Sequence, residues 1–287
     1  MPIVPNLVEA FHWQWEAFDG FTFAIRDYLD VGMMQHLNDP ELVEGMKLID
    51  PAYYLERLNT IPKLVVVSSD DEFMMMDWTQ LWYDNFQGGE THLMITPNAE
   101  HSMLTNIWSV LSSCSAFIKS VASGKPREVR PKFTYTQSNS TGELVVTVPA
   151  GGPQPTGVYL RHGQTMQNIR RDFRWVRAAN NFTQPCTFPF IPFPDGKDLF
   201  GGNCAQLIFW EKTELLESAP GVFRATPPNP TRGFWTGYYI MLTFDDDTPG
   251  TETYLPNQFE LTTPGFTWPM DLPFPPCVED GCLSRIV

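Results

Sequence analysis

Apolar and polar positions follow two rhythms along this chain, and the change between them falls near residues 122–130. Ahead of it, Leu7, Val8, Phe11, Trp15 and Phe18 recur at helical spacing. Asp39-Pro40-Glu41 and Asp50-Pro51 each read as a helix start, with an acidic N-cap and a proline in the first turn. Residues 63–68 hold the continuous apolar run Leu64-Val65-Val66-Val67, which predicts a parallel strand covered on both faces. Residues 77–86 place Trp78, Leu81, Trp82 and Asn85 turn by turn and predict a helix closed by Gly88-Gly89. A second short strand is expected over residues 91–96. Ser102 then reads as the N-cap of a helix through Val121. Its Leu104, Ile107, Trp108, Leu111, Cys114, Phe117, Ile118 and Val121 form one apolar stripe. Strand, helix, strand, helix in this order implies parallel pairing with a right-handed crossover.

Beyond Pro126 the long helical patterns stop. Residues 132–136, 143–149, 157–161, 172–177, 206–212, 222–225 and 234–244 run apolar or alternate at strand length, separated by Gly, Pro and Asn. Short strands at this spacing predict an antiparallel β-sandwich. The expected fold is therefore α/β, with a partial parallel sheet in residues 1–125 and an all-β sandwich in residues 126–287. Residues 184–204 read as a long loop, and the stretch from Gly265 onward as an extended tail that packs its aromatics on a neighbour.

Composition narrows the function classes. A net charge of −14 leaves no basic surface to neutralise phosphates, so nucleic acid is not an expected partner. It also disfavours anionic membrane surfaces, and no apolar run is long enough to span a bilayer. The first residues lack the basic and continuous apolar regions of a signal peptide. Cys114 sits in the helical stripe as a buried thiol. The proximity of Cys186 to Cys204 and of Cys277 to Cys282 suggests two bridges, although four cysteines allow three pairings. Asn139-Ser140-Thr141 and Asn181-Phe182-Thr183 match the glycosylation sequon, and with the loop cysteines they point to an exported protein.

No cofactor is expected. The cysteines lack zinc spacing, His92 and His162 have no partners at ligand spacing, and Met74-Met75-Met76 reads as packing. Asp245-Asp246-Asp247-Thr248-Pro249-Gly250 reads as an acidic turn, and Arg170-Arg171-Asp172-Phe173-Arg174 as a strand with its charges outward.

Candidate chemistry lies where the two predicted strands end. The first runs into Ser68-Ser69-Asp70-Asp71-Glu72 and the second into Pro97-Asn98-Ala99-Glu100-His101. An acid after one strand and a histidine after the next is the order of the last two members of a Ser…Asp…His triad. Asp71 is the expected acid, with Asp70 and then Glu72 as alternatives, and His101 is the expected base. No Gly-x-Ser-x-Gly elbow occurs in the sequence. The segments VPNLVEAFHWQWEAFDGFTFAIRDY, IDPAYYLERL, IPKLVVVSSDDEF and HLMITPNAEHS resemble the PhoPQ-activated pathogenicity-related family, as do RDFRWV, GFWTGYYIMLTF and TETYLPNQFELTTPGF in the β-rich half. The resemblance implies an α/β-hydrolase-type domain followed by an immunoglobulin- or fibronectin-like sandwich, usually exported. It also implies a nucleophile elbow ahead of the VPNL segment. The expected role is binding, as an extracellular signal that restrains growth, with an unidentified extracellular protein as partner. The other role it implies is part of a serine hydrolase acting on a small ester or peptide.

Overall fold

The computed structural model describes residues 5–124, 126–178, 203–206, 208–246, 258–282 and 285–287. Helices combine with a small parallel sheet and several antiparallel sheets in a mixed α/β arrangement. Helices α1 (Leu7–Phe18), α2 (Arg26–Asp30), α3 (Pro40–Met46) and α4 (Leu55–Leu58) come first, joined by 3-10 turns. The acid expected to start a local helix also reaches across the chain. Asp50 accepts from Ala52 N (2.8 Å), and from Asn6 N (2.9 Å) and Leu7 N (2.8 Å) at the start of α1. Its carboxylate thereby satisfies backbone donors that a helix start leaves open. Asp39 precedes α3 as expected, but its side chain makes no cap bond and pairs with His36 Nδ1 at 2.6 Å.

Strands β1 (Lys63–Ser68) and β2 (Thr91–Thr96) pair in parallel, Lys63 against Thr91 through Ser68 against Thr96. Both strands therefore end level, and the loops that follow leave from one edge. The connection between them is not the predicted helix. Two 3-10 segments, Met76–Leu81 and Tyr83–Gly88, meet at Trp82, whose φ of −129° interrupts helical geometry. Trp78, Trp82 and Phe86 are all buried and stack in series at 5.3 and 5.5 Å. Of the expected face, Trp78 and Trp82 are buried, Leu81 is half-buried and Asn85 is exposed, with Phe86 buried in its place.

Helix α5 (Ile107–Ala122) begins four residues later than expected, after a 3-10 turn, and Ser102 does not cap it. Its orientation reverses the stripe reading. Ser112, Ser113, Ala116 and Ser120 face inward, while Trp108, Leu111 and Ile118 are exposed. The small face allows close approach to β12 (Gln258–Thr262), where Ser113 Oγ accepts from Glu260 N (2.8 Å) and Ser109 Oγ donates to Glu260 Oε2 (2.6 Å).

The second half is antiparallel. One sheet orders β3 (Thr134–Gln137), β4 (Leu144–Thr147), β10 (Val222–Ala225) and β9 (Glu217–Ala219). The other orders β12, β11 (Thr236–Asp245), β5 (Gly157–Gln164) and β8 (Glu211–Glu214), with β13 (Phe266–Trp268) also on β11. β6 (Val176–Ala178) and β7 (Asn203–Ala205) form a separate pair. β13 lies in the stretch read as an extended tail, and β12 just ahead of it, where no strand was expected. The strand expected over residues 172–177 shrinks to β6, because the residues before it turn charged side chains inward.

β11 organises the interior. Alternate side chains of a strand point to opposite faces. Tyr238, Ile240, Leu242 and Phe244 join Leu144, Val146, Val158, Leu160 and Phe223 in the core between the two antiparallel sheets. Tyr239 and Met241 enter a second core with Phe18, Trp78, Trp82, Leu93, Ile95, Trp210 and Val287. A third gathers Phe11, Trp15 and Phe21 around the bonded Cys277 and Cys282. The other suggested bridge, Asn181 and residues 247–250 lie outside the described residues. No helix among the described residues is long and apolar enough to cross a membrane.

Candidate functional site

Three consecutive carboxylates after β1 serve three different purposes. Asp70 points inward and is fully buried. It accepts from Ser69 Oγ (2.6 Å), Ala99 N (3.2 Å) and Trp210 Nε1 (2.8 Å). Burial pushes its carboxyl well above the usual range, and those donors offset only part of the shift. Asp71 points the other way. His101 Nδ1 lies 3.0 Å from both of its carboxylate oxygens, and Oδ1 also accepts from Phe73 N (2.7 Å) and Met74 N (3.0 Å). Since both facing atoms are acceptors, Nδ1 carries the proton. Glu72 accepts from His101 N (2.9 Å) and fixes the backbone of that loop. Its carboxyl is raised, chiefly by burial.

The level strand ends therefore bring Asp71 and His101 together, and Asp70 is occupied in holding the loops. Phe73 lies against the imidazole with ring centroids 4.3 Å apart. The His101 side chain is 53% exposed and its Asp71 partner 5%. No hydroxyl or thiol among the described residues is bonded to Nε2. Nearby serines are engaged elsewhere: Ser68 Oγ donates to Glu100 O, Ser69 Oγ to Asp70, and Ser102 Oγ to Glu100 Oε1. Two cavities flank the ring. One, of about 600 Å³, is bounded by Val65, Val67, Met74 and Trp78. The other, of about 480 Å³, is bounded by Phe23, Phe73, Leu104 and Trp175.

The hydrogen bond that His101 donates to Asp71 raises the His101 pKa above 6.5, against the lowering effect of partial burial. A histidine raised in the folded state contributes stability in full below about 6.5, and loses it as the pH rises through the folded value. An NMR titration is expected to place His101 above 6.5 and to move it down in Asp71→Asn. In parallel, the stability difference between the native protein and His101→Gln should shrink as pH climbs from 6 to 8.

Several residues that build this site carried no local signal. Trp210 reaches Asp70 from 140 residues away. Asn98 adopts φ 54°, and its side-chain oxygen accepts from Trp210 N at 2.7 Å, while its own N donates to Ser69 Oγ at 2.9 Å. Asn tolerates the left-handed region better than most residues. Asn98→Ala is expected to cost about 2 kcal/mol in chemical denaturation, and Asn98→Gly about 1 kcal/mol less than that. The Arg170–Arg174 stretch, read as outward charge, is buried instead. Arg171 Nη2 pairs with Asp77 Oδ2 at 2.7 Å, and Arg174 Nη2 with Asp172 Oδ2 at 2.8 Å.

A family model described as PhoPQ-activated pathogenicity-related protein matches residues 1–174. The chain is 31% identical over 245 residues to the Autocrine proliferation repressor protein A of Dictyostelium discoideum, a match covering 84% of this chain and 44% of the relative. It thus spans less than half the length of that protein. No solved structure matches.

Proposed function

This chain belongs to the PhoPQ-activated pathogenicity-related family, and on that premise we propose that it is an exported, α/β-hydrolase-type protein acting by binding at the surface around Asp71 and His101. One observation carries the reading. His101 has its carboxylate partner but no hydroxyl or thiol within hydrogen-bond distance among the described residues. A base without a nucleophile performs no acyl transfer. What it leaves is a polar pair between two apolar-walled cavities, which is the composition of a recognition site. The relative's name describes repression of proliferation, and the proposal carries that role over as an extracellular signal that restrains growth. The Cys277–Cys282 bond and the exposed Asn139 sequon fit an oxidising, secretory route. On this reading β1 and β2 belong to a hydrolase-type sheet. The two antiparallel sheets form an immunoglobulin- or fibronectin-like sandwich, and the boundary lies near residue 126.

The test is saturable binding of the labelled chain to growing cells, with proliferation slowed in proportion to occupancy. Phe73→Ala together with His101→Ala is expected to weaken binding at least tenfold, the scale of losing two central contacts. Binding that never saturates would end this proposal.

A second reading is favoured by the Asp71–His101 geometry, in which the acid fixes the tautomer of a half-exposed base. There the pair serves a serine hydrolase of small esters or peptides, with the serine contributed by a longer polypeptide. Fluorophosphonate labelling of such a polypeptide, abolished by His101→Ala, would decide for this reading over the first.

A further inference from the structure

At the opposite edge of the parallel pair from His101, a cavity of about 330 Å³ opens where β2 begins, lined by residues of β2, β3, β4 and the turn after α5. We propose that it binds a small molecule carrying an oxyanion on a flat apolar body.

The argument starts from the charge inventory. Glu90 is the acid among the lining residues, and its charge is already matched. Arg130 Nη2 donates to Oε2 at 2.5 Å, Arg130 Nε donates to Oε1, and His92 Nε2 lies 3.0 Å from Oε1. Burial works to raise the Glu90 carboxyl, but these bonds overcome it and hold it down at about 2. The cations at the mouth are not matched in this way. Arg127 is exposed and spends Nη2 on Gly89 O at 2.9 Å, which fixes the guanidinium. Lys132 has no hydrogen bond or ion pair among the described residues. Lys63 does not line the cavity and spends its ammonium on Leu58 O (2.6 Å) and Ile61 O (2.9 Å); burial, with Arg127 nearby, lowers its pKa. Glu128, on the same turn, acts electrostatically on Arg130 and does not line the cavity. A cavity with surplus positive charge stands out on a chain of net charge −14.

The remaining walls set the body of the ligand. Tyr83, Phe133 and Pro149 present flat apolar surface, with Thr91, Thr134 and Thr147 between them. The volume suits one ring with a short substituent. A forked guanidinium and an ammonium among the residues of such a slot match a carboxylate or phosphate group.

Calorimetry on the full chain with benzoate, phenyl phosphate and the neutral benzamide tests this. Either anion is expected to bind saturably, at least tenfold more tightly than benzamide. Arg127→Gln and Lys132→Gln should each weaken the anion about tenfold, the loss of one charge-assisted bond. Arg127 is exposed and Lys132 half-buried, and unchanged thermal melting establishes that the variants fold. His101→Gln should leave binding unaltered, since it lies at the other edge. The proposal is overturned by benzamide binding as well as the anions, by no probe binding at millimolar concentration, by an Arg127→Gln/Lys132→Gln protein that binds normally, or by dependence on His101.

Discussion

Asp77→Ala is expected to lower the unfolding free energy by about 3–5 kcal/mol, the usual cost of leaving one member of a buried ion pair alone. Asp77 and Arg171 are both fully buried, joined at 2.7 Å, and Trp13 Nε1 donates to the same Asp77 oxygen at 2.9 Å. Burial pulls the Arg171 pKa down and Asp77 opposes it, but a guanidinium keeps its proton, so removing the acid strands a full charge. The pair is not an efficient source of stability. Asp77 Oδ1 and Arg171 Nε have no partner among the described residues. An apolar replacement of both is therefore expected to cost much less than the two single changes added together. Arg171 Nη1 also serves Thr267 Oγ1 (3.2 Å) and Asp271 O (3.1 Å), so Asp77→Leu/Arg171→Met will not reach native stability. A urea double-mutant cycle should give a coupling of about 2 kcal/mol or more. Additive single effects would contradict the pairing.

The next largest effect is expected at Asp70. Asp70→Ala strips the acceptor from Ser69 Oγ, Ala99 N and Trp210 Nε1 in a site water does not reach. Each stranded donor costs about 1–3 kcal/mol, and partial rearrangement leaves a total of about 3 kcal/mol or more. Asp71→Ala, one residue on, exposes its partners to solvent and should cost about 1 kcal/mol. The pH dependence separates the two further. A carboxyl raised in the folded state weakens the fold as pH rises from about 3.8 toward its folded value. That loss should be absent from Asp70→Asn. Equal destabilisation by the Asp70 and Asp71 alanine variants would refute the division of labour between these neighbours.

That division marks the limit of what the sequence alone discloses. β1, β2 and the strands around β11 are legible from their apolar runs, as in Leu64–Val67 and Tyr238–Leu242, but only β2 and β11 are buried on both faces; Leu64–Val67 of β1 are half-buried and line a cavity, not the fully covered strand expected. Asp71 and His101 are legible because parallel strands of equal length deliver their following loops to one edge. Which of two adjacent acids faces inward depends on Trp210, far away in sequence, and no local spacing encodes it. The Arg170–Arg174 stretch fails for a related reason. Charge normally signals exposure, and Arg174 is buried because Asp172 receives it through two side-chain bonds, with Val287 O and the Phe18 ring taking the rest of the guanidinium. α5 misleads differently. Its strongest apolar stripe is less suited to close packing than its serine and alanine face, and β12 takes the latter. β12 itself is visible in hindsight as the alternation Phe259, Glu260, Leu261.

The pairing of Phe21 with Ile286 has a consequence for biosynthesis. Phe21 N donates to Arg285 O at 2.7 Å, Val287 N to Phe21 O at 2.9 Å, and Arg174 Nη1 to Val287 O at 3.0 Å. Arg285 also pairs with Asp19, 266 positions earlier. The turn that ends α1 is thus completed only by residues far along the chain. For the time it takes to translate the intervening chain, Phe11, Trp15 and Phe21 have no completed core to enter. This corner cannot complete its packing until residues 277–287 are in place. Residues 7–21 are therefore expected to be among the last of the described segments to gain hydrogen-exchange protection on refolding, because closing so long a loop is slow as well as entropically costly.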